Sequence, residues 1–129
     1  MSVEFRTLTI LKVYLGEDTY YDDRPLYKAI IEEAHTLHIA GATAYKCVEG
    51  YASEVRGHER KLLVNFSDSS NLPIVLEFVD TREKFEPLLK FLEKNVQRGL
   101  VTISDATCLM TEYMKKASQS LQQAAIDKK

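Results

Sequence analysis

At 129 residues, 45% apolar and 28% charged, the chain has the length of one domain and enough apolar material for a core. A net charge of -2 gives no electrostatic case for binding nucleic acid, which requires a concentrated positive field. No apolar run approaches the roughly twenty residues that span a bilayer. Met1 to Phe5 shows no charged start leading into an apolar core, so neither direct membrane insertion nor secretion is expected and a cytoplasmic location is the default.

Thr7 to Leu15 reads as a first strand, with Leu8, Ile10 and Tyr14 on one alternating face and Leu11, Val13 and Leu15 on the other. A strand apolar on both sides needs cover on both. A helical layer supplies one cover, and a neighbouring subunit is the economical candidate for the second. Gly16 to Arg24 is a polar connection, in which Asp22 and Asp23 are good helix-start residues and Pro25 suits a first turn. Leu26, Ile30, Ala34 and Leu37 then share a helical face, and Gly41 stands where a left-handed stop is expected.

A second strand is expected from about Ala42 to Tyr51, ending on the glycine-aromatic pair Gly50-Tyr51. The polar segment from Ala52 to Leu72 is far longer than the usual hairpin loop of about two to five residues. Loops of such length on compact domains commonly carry function. Pro73 opens a third strand, Ile74 to Asp80, where a missing N–H costs little. Asp80 and Glu83 are spaced as a capping box, and Phe85, Leu88, Leu89, Leu92 and Val96 follow at helical spacing, with Pro87 bending this helix or marking its true start. Gly99 is expected to stop it. Leu100 to Ile103 and Thr107 to Tyr113 read as strand material split by Ser104-Asp105, and Met114, Ala117, Leu121 and Ala124 as a final amphipathic helix.

The order strand, helix, strand, long loop, strand, helix, strand predicts an α+β fold. It is a ferredoxin-like βαββαβ sandwich, a four-stranded antiparallel sheet with two helices on one face, over residues 1–113, with a C-terminal helical tail over 114–129. The opposite sheet face reads as apolar, so a homo-oligomer is expected. For Cys47 and Cys108 buried free thiols are favoured over a disulfide.

Candidate chemistry is sparse. Arg60 and Lys61, in the long loop, are the side chains suited to a phosphate, one as a bidentate fork and one as a point charge. Gly50 is a natural hinge beside them, and Tyr51 can stack on a base. Arg98-Gly99 reads first as a helix-terminal cation and stop, with an anion site as the second reading. His35 and His38, three apart near a helix end, read as a solvent-facing pair; with a carboxylate they could bind a metal, and a metal reading would use His35, His38 or loop His58. No Gly-x-Ser-x-Gly, Walker lysine loop or dinucleotide glycine fingerprint is present, and no enzymatic activity is expected.

Five segments carry a resemblance: Leu11-Lys12-Val13-Tyr14-Leu15-Gly16-Glu17, Pro25-Leu26-Tyr27-Lys28-Ala29-Ile30-Ile31, Ile39-Ala40-Gly41-Ala42-Thr43, Leu72-Pro73-Ile74-Val75 leading to Val79-Asp80, and Arg98-Gly99-Leu100-Val101-Thr102. With the order of elements, they make the chain resemble the PII signalling superfamily, and most closely the PII-like family catalogued as domain of unknown function 190. The resemblance implies a homotrimer packed through its sheets. It also implies an adenine nucleotide (ADP, AMP or ATP) as small-molecule effector in the clefts between subunits. The long loop would signal to a partner, a membrane transporter or an enzyme. By position, it puts Gly41 and Thr43 beside the adenine, Gly50 and Tyr51 at the loop base, and Arg98 and Gly99 before the last strand.

Two departures bear on the ligand. Gln97-Arg98-Gly99-Leu100 is shorter than the glycine-rich lysine loop of PII proteins, and Ala52 stands where the pattern favours a second glycine. A smaller nucleotide or a different anion therefore stays open. So do two other readings, a metal-binding or metal-tolerance trimer and a constitutive structural adaptor.

Overall fold

The computed structural model describes residues 2–50 and 72–117. In chain order these form β1 (Phe5–Gly16), β2 (Tyr20–Tyr21), β3 (Arg24–Pro25), α1 (Leu26–Thr36), β4 (Gly41–Lys46), β5 (Pro73–Asp80), a 3-10 turn (Glu83–Phe85), α2 (Glu86–Asn95), β6 (Leu100–Leu109) and a final helix over 112–117. β4, β5, β1 and β6 lie side by side in that order, every pair antiparallel. The ferredoxin-like α+β sandwich expected from the sequence is the fold observed.

Alternation along β1 separates the two faces. Leu11, Val13 and Leu15 are fully buried. They join Leu76 and Phe78 of β5 and, from the helical layer, Leu26, Ile30, Phe85, Leu88 and Leu92 in one core cluster. The opposite face carries Ile10, Lys12 and Tyr14, all half-buried. The registers align Lys12 with Glu77 of β5 and Thr102 of β6, and Glu77 in turn with Thr43 of β4. A polar row thus crosses the middle of this open face, which the sequence reading took to be apolar throughout. The apolar residues gather at its two ends instead, with Tyr14, Tyr45, Val75 and Leu100 in one row and Leu8, Ile10 and Val79 at the other end.

The remaining differences from the expected elements have local causes. Asp22 and Asp23 do not start a helix; they turn the small hairpin of β2 and β3, with Asp22 at φ 56°. Their short side chains suit both roles, and aspartate tolerates the left-handed region. α1 starts directly after Pro25 without a side-chain cap. It ends at Thr36, with the left-handed stop at His38 rather than at Gly41. His38 takes φ 60°, its N–H donates to His35 O and the Ile39 N–H donates to Ala34 O, both at 3.0 Å, which is a Schellman stop. Gly41 is then released to open β4. β4 ends at Lys46 instead of Tyr51, with one further ladder bond from the Cys47 N–H to Pro73 O at 2.9 Å.

Asp80 is no helix cap. Its Oδ2 accepts from the Ala40 N–H at 2.8 Å and its Oδ1 from the Thr81 N–H at 2.6 Å, so it ties the start of β4 to the end of β5. Pro87 sits in the first turn of α2, marking its start. α2 stops at Asn95, four residues before Gly99. β6 is continuous through Ser104 and Asp105, because Asp105 Oδ1 accepts from the Thr9 hydroxyl at 3.3 Å. Cys47 and Cys108 are free and half-buried.

Candidate functional site

The candidate ligand residues fall at opposite ends of the sheet. Gly50 and Gly99 bracket the end of β1. A Cβ on Gly50 would lie 3.5 Å from Pro73 Cγ, whereas one on Gly99 would lie 2.4 Å from Tyr14 O. Both glycines have positive φ, 132° and 138°. Gly99 is therefore required by a close backbone crossing as well as by its conformation. The same end carries two bonds at the root of the long segment. The Glu17 N–H donates to Leu72 O at 3.0 Å, and Lys46 Nζ lies 3.1 Å from Glu17 Oε2. Glu17 is thus engaged by an ammonium, and Lys46 is a residue the sequence reading overlooked.

Arg98 is half-buried beside α2. With Asp18, Tyr20, Tyr21, Asn95 and Gln97 it lines a polar crevice of about 420 Å3. Tyr21 packs against Phe91 with ring centroids 5.6 Å apart, which fixes the hairpin wall of this crevice. The Thr19 hydroxyl oxygen in that wall is buried without a hydrogen-bond partner among the described residues. Arg98 thus sits at the same end as Gly50 and Gly99 but turns toward the helical layer.

Gly41 lies at the other end, where β4 begins beside Val79. Five residue steps separate it from Lys46, about 17 Å at roughly 3.3 Å per residue. Thr43 is between them on the open face, opposite Glu77. Gly41 helps line a cavity of about 560 Å3 between the open face and the final helix, with Arg6, Leu8, Lys84, Met110 and Met114 among its walls. Arg6 and Lys84 also escaped the sequence reading. Arg6 lies ahead of the apolar stretch of β1, and Lys84 reads as an ordinary exposed position of the first turn. Only the register, which sets Arg6 beside Cys108 and Gly41 beside Val79, shows that they converge.

Within one chain, then, Gly50, Arg98 and Gly99 lie at one end of the sheet and Gly41 at the other. Tyr51, Arg60, Lys61 and His58 lie outside the described residues. Among the described residues no group of three His, Cys, Asp or Glu side chains could hold a metal ion. No helix among them is long and apolar enough to cross a membrane.

The chain was compared with known proteins. The family model DUF190, described as "Uncharacterized ACR", matches residues 8–108. A UPF0166 protein of Aquifex aeolicus is 31% identical over 96 residues, covering 74% of this chain and 88% of its own. A UPF0166 protein of Methanocaldococcus jannaschii is 37% identical over 97 residues, covering 74% and 86%. Among solved structures, CPII from Thiomonas intermedia K12, a nitrogen regulatory PII-like protein, is similar in its apo form with a TM-score of 0.57 at 13% identity, over 84% of this chain and 98% of that one. CPII bound to ADP and bicarbonate gives a TM-score of 0.58 at 16% identity, over 82% and 92%. A putative PII-like signaling protein from Thermus thermophilus gives 0.52 at 17% identity, over 87% and 97%. The architecture is therefore PII-like, and by its family match and its UPF0166 relatives the chain belongs to the DUF190 family.

Proposed function

We propose that this chain is a PII-like regulatory protein that binds an adenine nucleotide, ADP, AMP or ATP, between the subunits of a homotrimer. It would act on a partner, a membrane transporter or an enzyme, through the segment 52–72. One observation carries the reading. The candidate ligand residues form two half-sites about a strand's length apart, and a ligand that uses both must bridge two copies of the chain. The open sheet face supports association, since Tyr45 and Leu100 stand 43% and 57% exposed on it. CPII, of the same fold, has been solved with ADP and AMP.

Coupling to the partner would run through the loop root. Ligand binding near Gly50 and Gly99 would favour one arrangement of the Glu17–Lys46 pair, and the population of loop states would follow the difference in affinity. The short turn 97–99 offers no cradle of successive N–H groups for a triphosphate. The reading therefore favours AMP or ADP over ATP.

Calorimetric titration of the full chain with ATP, ADP, AMP and cyclic AMP tests this. Saturable binding of AMP or ADP, at one site per chain, is the expected result. Flat traces for all four would remove the nucleotide reading.

A further inference from the structure

The cavity at the Gly41 end holds more chemistry than the candidate residues alone account for. Its floor is the far end of the open face, with Leu8, Gly41 and Val79. Its roof is the final helix, through Tyr113 and Met114, and Met110 closes one side. Two cations reach it from separate elements, Arg6 from β1 and Lys84 from the 3-10 turn. Among the described residues the one carboxylate on its wall, Asp80, has both oxygens engaged by the backbone N–H groups of Ala40 and Thr81. Lys84 gives one hydrogen bond, to Leu37 O at 3.4 Å, and an ammonium has three donors. Arg6 is exposed and carries a five-donor fork. A slot of about 560 Å3 with apolar and thioether walls and two cations at its margin suits a compact ligand that joins a flat apolar body to an anion.

We propose that Arg6 and Lys84 are specificity-determining residues that bind the phosphate of a mononucleotide whose base lies against Leu8, Val79 and Met114. The assignment rests on the nucleotide reading above and adds to it the source of the positive charge. A chain whose turn before the last strand is too short to wrap a phosphate supplies the cations from β1 and from the start of the second helical segment instead.

The test compares AMP with adenosine, so that the phosphate is read separately from the base. Wild-type chain is titrated with both, alongside the double variant Arg6→Ala/Lys84→Ala and a control of equal net charge, Lys28→Ala/Lys94→Ala, taken from exposed positions away from the cavity. Circular dichroism melts check that all three are folded. Wild type and control should bind AMP about tenfold more tightly than adenosine, the scale of charge-assisted hydrogen bonds to one phosphate. In the Arg6→Ala/Lys84→Ala variant that preference should vanish while adenosine affinity holds within about threefold. A phosphate preference that survives in the double variant overturns the assignment and leaves the nucleotide reading standing. A preference lost equally in the control shows only the field of the whole molecule and overturns it too. Absence of any AMP or ADP binding to wild type removes the nucleotide reading and this assignment together.

Discussion

Gly50 and Gly99 show how two residues of one type at one end of a sheet can differ in consequence. Both adopt a φ that L side chains rarely take, but only Gly99 has backbone in the way, with Tyr14 O 2.4 Å from where a Cβ would stand. Gly50→Ala should cost about 1 kcal/mol, the scale of a left-handed residue gaining a Cβ. Gly99→Ala adds a displaced Tyr14 carbonyl in the β1–β6 ladder and should cost about 3 kcal/mol. Urea unfolding of both variants checks the order, and equal midpoints would contradict it. Sequence alone could not separate the two, because each reads as a glycine between ordered elements. His38 is the converse case. It takes a left-handed stop that a nearby glycine, three residues on, advertises more loudly, and what selects it is the pair of bonds to Ala34 O and His35 O.

Between elements, Asp80 carries more of the architecture than its place suggests. Among the described residues β4 is an edge strand, paired on one side only, by β5. Its start is held by the Ala40 N–H on Asp80 Oδ2, and the Thr81 N–H occupies the other oxygen. Asp80→Ala leaves two backbone donors without their acceptor and should destabilise the fold by about 2–4 kcal/mol. Asp80→Asn keeps one acceptor but turns a donor toward the second N–H, and should cost about half as much. Thermal or urea unfolding of the pair reads the difference. A neutral Asp80→Ala would show that the strand is held by its ladder alone. The spacing of Asp80 and Glu83 pointed to a local cap, and the observed partner lies 40 residues away. A cap signal names a residue able to accept backbone N–H bonds; it cannot say which segment donates them. The same limit applied to β6. Asp105 looked like a break, and it is accommodated by a hydroxyl on the neighbouring strand. The strand and helix order, the buried face of β1 and the apolar side of α2 were legible because each is set by local periodicity. The convergence of Arg6, Gly41 and Lys84 was not, because strand register brings the first two together and the turn after β5 brings the third.

At the scale of the whole molecule, the open face decides between a protomer and an assembly. Its ends carry Tyr14, Tyr45 and Leu100 on one side and Leu8, Ile10 and Val79 on the other, with the row Thr43, Glu77, Lys12 and Thr102 between. In a lone protomer Lys12 and Glu77 are an opposed cross-strand pair in reach of water, and such pairs are worth about 0.2–1 kcal/mol. In a trimer packed through these faces they are shut away from water, where an uncompensated charge costs about 3–5 kcal/mol. Lys12→Glu sets two carboxylates opposite each other, and the two settings predict different outcomes. On an open protomer surface the variant loses at most about 1 kcal/mol and sediments as the wild type does. In the proposed homotrimer each copy repeats the defect, so the variant should sediment as single folded protomers while wild type sediments at the three-protomer mass. If the ligand takes one half-site from each of two copies, as proposed, AMP binding should fall with assembly, even though Lys12 lines neither the Arg98 crevice nor the Gly41 cavity. A Lys12→Glu chain that stays assembled would place the subunit contact on another face, and a wild type that sediments as one protomer would leave the half-sites apart and the ligand without its second wall.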